Sequence, residues 1–184
     1  AGALPSGAAV AAGSASISQR GASMSIDQST SKAIINWQRF EIGADASVRF
    51  NQPDAASVTL NRVVGADASQ IAGRLSANGQ VFLVNPHGVM FSPTAQVDVG
   101  GLVAGTLDID DADFQAGRLA FHRHGAAGKV RNQGRITASE GGLLALLGTD
   151  VANDGVITAS RGTVVLAAGE AVTFNFSGSS VGVQ

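Results

Sequence analysis

The strongest constraint on this chain is a repeat. Residues 130–150 (VRNQGRITASEGGLLALLGTD) align with residues 151–171 (VANDGVITASRGTVVLAAGEA) at an offset of 21, with nine of 21 positions identical. A period of roughly 20 to 50 residues marks a solenoid, propeller or array, and 21 is too short for a propeller blade or a helix pair. Each repeat holds three strand-length segments split by Gly or Asn corners, which is one coil of a parallel β-helix docking only on its neighbours. Ile136 and Ala138 alternate with Arg135 and Thr137, so one face of that segment points inward. Residues 143–147 and 164–168 are apolar at successive positions. That predicts strands covered from outside as well as within, or an exposed apolar strip.

The corners Asn132-Gln133-Gly134 and Asn153-Asp154-Gly155 have a local reason. Gly accepts positive φ without steric cost, and Asn tolerates the left-handed region and bonds nearby backbone. Stacking should place Asn132 over Asn153 and Gly134 over Gly155, with the amides in a ladder and no role beyond the turn. An earlier echo, GADAS at 43–47 and again at 65–69, predicts that coil spacing near 20 runs through residues 36–106 with irregular insertions.

The first 35 residues differ. Ala15, Ile17, Ala22, Met24 and Ile26 alternate with polar residues around Gly21, which reads as a β-hairpin. A β-helix end exposes unpaired backbone and apolar core, and residues 1–35 are placed to cap it. Residues 107–129 (LDIDDADFQAGRLAFHRHGAAGK) break the spacing and carry most of the local charge, so they read as strands or a loop packed outside the helix. Residues 130–184 read as regular coils in a single domain of 184 residues.

Composition narrows the function. At 45% hydrophobic the chain can bury a core, and at 14% charged with a net charge of -2 it is no nucleic-acid binder. The absence of Cys excludes a disulfide framework, a thiolate metal site and a Cys nucleophile. It also suits a chain that crosses a membrane unfolded. No apolar run reaches the roughly 18 residues of a membrane helix. The opening AGALPSGAAV reads as a mature end after removal of a signal peptide. The closing TFNFSGSSVGVQ reads as an interruption within a longer protein.

Chemistry-bearing clusters are few. Asp108, Asp110, Asp111 and Asp113 have spacing that can bind calcium, but the Gly and terminal Glu of a calcium loop are missing, so they read as a solvated loop. A β-helix lyase or hydrolase would draw on this set with Arg118 or Arg123. His122 and His124 share a strand face, yet no third ligand is visible, and the segment reads as a polar outer face. No nucleophile-elbow, phosphate-loop, dinucleotide or zinc-protease motif occurs. No catalytic residue, metal or cofactor is expected. Asn85-Pro86-His87-Gly88 interrupts an apolar run and has the form of a type I or II turn. Pro cannot sit in a central ladder, so this is a rigid corner from which the chain resumes on the next face.

Residues 33–40 (AIINWQRF), 58–63 (VTLNRV), 71–91 (IAGRLSANGQVFLVNPHGVMF) and 101–107 (GLVAGTL) follow in that order. Together they resemble the N-terminal secretion domain of two-partner secretion exoproteins, the hemagglutination activity domain. That family includes filamentous hemagglutinins, high-molecular-weight adhesins, hemopexin-binding proteins and contact-dependent inhibition toxins. The resemblance covers roughly residues 3–174. It implies an all-β, right-handed parallel β-helix of about 20–22 residues per coil, with an N-terminal cap and an extra-helical β element. It also implies a non-enzymatic, monomeric secretion-targeting and folding-nucleation module of a large exoprotein. Its partner would be a dedicated outer-membrane TpsB-type β-barrel transporter, whose periplasmic POTRA domains recognise the chain before export through the periplasm to the Gram-negative cell surface. The family's Asn-Pro-Asn-Gly motif maps onto Asn85, Pro86, His87 and Gly88, with His for the second Asn. Its Asn-Pro-Asn-Leu motif has only Asn51, Gln52, Pro53 and Asp54 near its place, which puts the chain closer to the adhesin and hemopexin-binding branch. An extended segment at 14–31 is a candidate for strand addition to the partner. The competing reading is a ligand-binding head for a host receptor, glycan or haem carrier. That reading needs an exposed groove with aromatics, for which Phe114, Phe121, Phe174 and Phe176 are the candidates. A host or bacterial receptor would otherwise be met through a downstream region.

Overall fold

A computed structural model describes residues 3–175 and 180–183. Three sheets wind around one axis. The first contains β1 (Ala9–Ala12), β4 (Lys32–Trp37), β6 (Val58–Val63), β9 (Gln80–Val84), β12 (Gly101–Gly105), β17 (Leu143–Gly148) and β20 (Thr163–Ala168), in that spatial order. The second runs β2 (Ala15–Arg20), β3 (Ser23–Gln28), β5 (Ser47–Asn51), β8 (Arg74–Ala77), β11 (Gln96–Val99), β16 (Arg135–Ala138) and β19 (Val156–Ala159). The third is shorter, with β7 (Ser69–Ile71), β10 (Val89–Phe91), β15 (Lys129–Asn132) and β18 (Asp150–Asn153). Neighbours are parallel except at two places, where β1 lies antiparallel on β4 and β2 antiparallel on β3. The result is a β-solenoid of about seven turns.

Side-chain alternation along each strand builds the interior. Val48, Phe50, Leu75, Val97 and Ile136 from the second sheet meet Ile71, Phe91 and Val130 from the third. Ile35, Trp37, Leu83, Leu102 and Leu146 close the triangle from the first sheet. Trp37 and Phe40 pack edge to face, with ring centroids 5.4 Å apart.

The outer side of the first sheet is apolar too. It is covered by an antiparallel sheet of β13 (Leu107–Ile109), β14 (Leu119–Arg123), β21 (Ala171–Asn175) and β22 (Ser180–Val183). Between β13 and β14 lies a short helix, α1 (Asp111–Ala116), closed by Gly117 in the left-handed conformation. Phe82, Val84, Val103, Ala145 and Leu147 of the solenoid pack against Leu107, Phe114, Phe121, Val172 and Phe174 of this layer. This second core is why residues 143–147 are apolar on both sides. In β20 the covered residue is Ala167, whereas the inward-facing Val164 and Leu166 are 46% and 48% exposed, because among the described residues no further coil lies on them.

Three sequence expectations need correction. Regular coils stop at Ala168, and β21 and β22 join the antiparallel layer instead of extending the stack. The GADAS echo is not a coil equivalence. Ser47 opens β5 and pairs with Arg74, whereas Ser69 opens β7 and pairs with Val89, so the two segments feed different sheets. The offset of 21 holds for the second and third sheets but becomes 20 in the first, where Leu143 pairs with Thr163. The corner after β19 is one residue shorter than the one after β16. Arg161 takes the left-handed position (φ 53) that Gly141 fills one coil earlier (φ 80).

Candidate functional site

The residues that set this chain apart sit at coil corners. In the first corner, after β9, Asn85 is fully buried. Its Oδ1 accepts from the His87 N–H at 3.0 Å, and its Nδ2 donates to the Asp67 carbonyl and to Ser69 Oγ, both at 2.9 Å. Its backbone N–H donates to the Gly105 carbonyl at 2.9 Å, and its carbonyl accepts from Gly88 N–H at 3.0 Å. His87 does not have positive φ, so the turn is type I. The Gly88 carbonyl accepts from Ser69 N–H at 3.0 Å, and the Pro86 carbonyl accepts from Gly128 N–H at 2.9 Å. One asparagine therefore ties its own turn to the coils on both sides. The His87 side chain is exposed and makes no hydrogen bond among the described residues, so His in place of Asn leaves the corner intact.

The second motif position proves to be a buried polar network. Gln52 is 7% exposed. Its Nε2 donates to Thr59 Oγ1 at 3.0 Å and to the Gln80 carbonyl at 2.9 Å, and its Oε1 accepts from Gly79 N–H at 2.8 Å. Thr59 Oγ1 in turn donates to Gln28 Oε1. Asn78 exchanges two bonds with the Gln52 backbone, at 2.8 and 2.7 Å. Asn51 donates to Asp27 Oδ1 at 2.8 Å, Pro53 is exposed, and Asp54 closes a tight turn with Ser57 Oγ at 3.1 Å. Gly79 has no room for a side chain, since a Cβ would lie 2.7 Å from Gln52 Oε1. Beside this network Trp37 Nε1 donates to Asn61 Oδ1 at 2.9 Å inside the solenoid. Sequence reasoning missed Gln28, Thr59 and Asn61. The signal was alternation, which puts Gln28 in register with Met24 and Ile26, and Thr59 and Asn61 with Val63, so polar groups in inward positions had to find partners.

The Asn corner nearer the C-terminus is simpler. Asn132 Nδ2 donates to Asn153 Oδ1 at 2.8 Å across the coils, and each Oδ1 accepts from the N–H two residues on, Gly134 at 3.0 Å and Gly155 at 3.2 Å.

The charged clusters are structural links. Arg62 is only 17% exposed and reaches from β6 into the outer layer. It donates to Asp108 Oδ1 at 2.9 Å, Asp111 Oδ1 at 2.8 Å and the Ile109 carbonyl at 2.6 Å. Burial alone would lower its pKa, but the hydrogen bonds and charges of Asp111 and Asp108 together outweigh that and hold it above the ordinary value. Asp113 pairs with Arg118 at 2.9 Å, and Asp110 lies 3.2 Å from His122 Nε2. The acidic run is therefore not a loop but the start of α1 and the end of β13, tied down by Arg62 and Arg118, with the Asp110 and Asp111 side chains still exposed to solvent. Among the described residues no cluster of three His, Cys, Asp or Glu has metal-binding geometry. Phe114, Phe121 and Phe174 are buried under the outer layer, so they line no open groove, and Phe176 lies outside the described residues.

Capped at its first end, covered on one face by an antiparallel layer and tied at its corners by buried Asn and Gln, the chain is a parallel β-solenoid domain. The chain belongs to the TPS secretion domain family, whose profile matches residues 1–181. It is 40% identical over 189 residues to a heme/hemopexin-binding protein of Haemophilus influenzae (strain ATCC 51907 / DSM 11121 / KW20 / Rd), covering 98% of this chain and 21% of that protein. A second heme/hemopexin-binding protein of Haemophilus influenzae is 40% identical over 60% of this chain and 12% of its own length. The chain thus spans a small part of the curated relatives it matches. Among solved structures it resembles the HMW1 secretion domain from Haemophilus influenzae, with a TM-score of 0.89, 35% identity, and coverage of 93% of this chain and 46% of that one. The filamentous hemagglutinin secretion domain shares the fold, with a TM-score of 0.67 and 15% identity over 98% of this chain and 67% of that one. The chain is accordingly a non-enzymatic secretion domain of the two-partner type, like the domains it matches.

Proposed function

We propose that this domain is both the address read by the POTRA domains of its outer-membrane transporter and the nucleus on which the exported chain folds. The observation that carries the second half is the open last coil. Val164 and Leu166 face the solenoid axis yet stay half-exposed, and β20 has a free strand edge among the described residues. A following coil that docks there buries those side chains and gains a ladder of hydrogen bonds, whereas a lone coil has no partner. Folding outside the cell then supplies direction without ATP in the periplasm. Support for the first half lies at the other end. β2 is the terminal strand of the second sheet, with one edge unpaired among the described residues and most side chains exposed. The serine-rich segment 14–31 that forms β2 and β3 suits strand addition to a POTRA sheet while still extended. The name of the Haemophilus relatives supports a haem- or hemopexin-binding cargo for the whole exoprotein.

The test is secretion. The domain is exported to the periplasm with and without the transporter and assayed in the medium, alongside Asn85→Ala, a scramble of 14–31, and Val164→Asp with Leu166→Asp in a longer chain. The expected result is transporter-dependent release, lost on scrambling 14–31, and release with defective folding of the downstream coils in the Asp variant. Retention of the folded wild type in the periplasm with the transporter present would overturn the address reading. Tight binding of the folded domain to the POTRA domains, unaffected by the scramble, would overturn strand addition.

A further inference from the structure

The arginines divide into two groups. Arg39, Arg62, Arg118, Arg123, Arg131 and Arg161 each pair with a carboxylate. Among the described residues the other four, Arg20, Arg49, Arg74 and Arg135, have no such partner, and all four project from the outer face of the second sheet. Strand register aligns them. One row across the strands reads Arg20, Ser23, Ser47, Arg74, Gln96, Arg135. The next row reads Ser18, Ser25, Arg49, Ser76, Asp98, Thr137. At about 4.8 Å per strand, Arg20 to Arg74 spans roughly 14 Å and Arg74 to Arg135 roughly 10 Å, with Arg49 offset between the first pair.

We propose that this face binds a linear anionic polysaccharide lying along the solenoid axis. Two of the four cations are held in place, since Arg74 Nη2 donates to Gln96 Oε1 at 3.0 Å and Arg49 Nε donates to Asn51 Oδ1 at 2.8 Å. Each keeps further N–H groups free, and the guanidinium fork matches carboxylate and sulfate oxygens. Two carboxylates share the face. Asp27 accepts from Asn51 at 2.8 Å and Asp98 stands in the second row. Asp45 lies beside Arg74 at the rim of a shallow polar groove with Thr94 and Gln96. Four cations against the two strand-borne carboxylates leave the strands of this face at +2, on a chain whose net charge is -2. Protein interfaces are built around an apolar or aromatic core. These rows offer only hydroxyl, amide and charged groups, with Val156 as the one large apolar side chain, at the far strand. A flat, regularly spaced polar face favours a hydrated, repeating polyanion over a protein partner.

The experiment measures affinity of the 184-residue chain for dextran sulfate and for alginate, with neutral dextran and phosphatidylglycerol vesicles as further arms. The quadruple variant Arg20→Gln, Arg49→Gln, Arg74→Gln, Arg135→Gln is compared with Arg39→Gln, Arg118→Gln, Arg123→Gln, Arg161→Gln, which changes charge equally. Circular dichroism establishes folding of both. The double variant Arg74→Gln, Arg135→Gln reads the same row with less perturbation. Expected are salt-sensitive binding of both polyanions by the wild type, at least a tenfold loss in the first quadruple, at least threefold in the double, and less than threefold in the control. Absence of binding, equal loss in the two quadruples, binding to neutral dextran, or binding confined to vesicles would each overturn the proposal.

Discussion

At the scale of the residue, the corners work through buried amides with no slack. Asn85→Ala strips partners from the buried Ser69 Oγ and from the part-buried Asp67 carbonyl and His87 N–H. An unsatisfied buried group costs about 1–3 kcal/mol, so the variant should lose about 3 kcal/mol in urea unfolding. His87→Asn should stay within about 0.5 kcal/mol, since that side chain is exposed. A different constraint governs Gly105. A Cβ there would sit 1.7 Å from the Leu147 carbonyl oxygen of the next coil. Backbone cannot move aside without breaking the parallel ladder of β12 and β17, and Gly105→Ala should cost about 3 kcal/mol, the upper end of overpacking costs, read as a fall in Tm. The corner Asn85-Pro86-His87-Gly88 was legible in sequence because Pro and Gly fix a turn locally. The Gln52 network was not, because its partners Gln28, Thr59 and Gln80 come from three other strands, and no local rule links them.

At the scale of the element, the outer layer depends on one guanidinium. Arg62 joins β6 to β13 and α1 through two carboxylates and a carbonyl, and Lys32 of β4 adds a bond to the Gln115 carbonyl at 2.7 Å. Breaking a largely buried pair by removing one partner costs about 3–5 kcal/mol. Arg62→Met should fall at the low end, since Asp111 remains solvent-accessible, and should raise binding of a hydrophobic dye as the layer loosens over Phe82. The pKa of Arg62 is raised, so the stability it confers is fully present below its ordinary, strongly basic value and is lost only as pH climbs through the raised one. The difference between wild type and Arg62→Met should therefore be flat from about pH 6 to 9, measured by urea unfolding at each pH. Element boundaries divided in the same way as residues. The hairpin around Gly21 follows from alternation, and β2 and β3 pair through all six residues. Helix α1 escaped notice because six residues carry too little periodicity, although acidic residues in its first turn and Gly117 after its end mark both termini.

At the scale of the whole molecule, the described residues close one end and one side of the solenoid, and among them no coil covers β20. The first end is covered by two antiparallel strands, β1 and β2, which turn the parallel edges of the first and second sheets into hairpin-like borders. The open end cannot be told from a repeat alone, because a repeat specifies how coils stack and not where the stack stops. The same blindness hid the fate of residues 171–175 and 180–183, whose alternation fits a coil as well as it fits a strand of the outer layer. Their true place gives the last prediction. β21 supplies Val172, which is fully buried, and Phe174, whose ring meets Phe121 edge to face at 6.1 Å. Removing residues 171–184 takes away both side chains and leaves the β14 edge unpaired. Burial of two such side chains stabilises by about 1.5–3 kcal/mol each, so the truncated chain should be less stable by roughly 3–6 kcal/mol. The solenoid itself does not pass through this segment, and the β signature in circular dichroism should persist while dye binding rises at Phe82, Phe114 and Phe121. Loss of the β signature would mean that the outer layer is required for the coils to form at all, and unchanged stability would mean that β14 already covers the first sheet without β21.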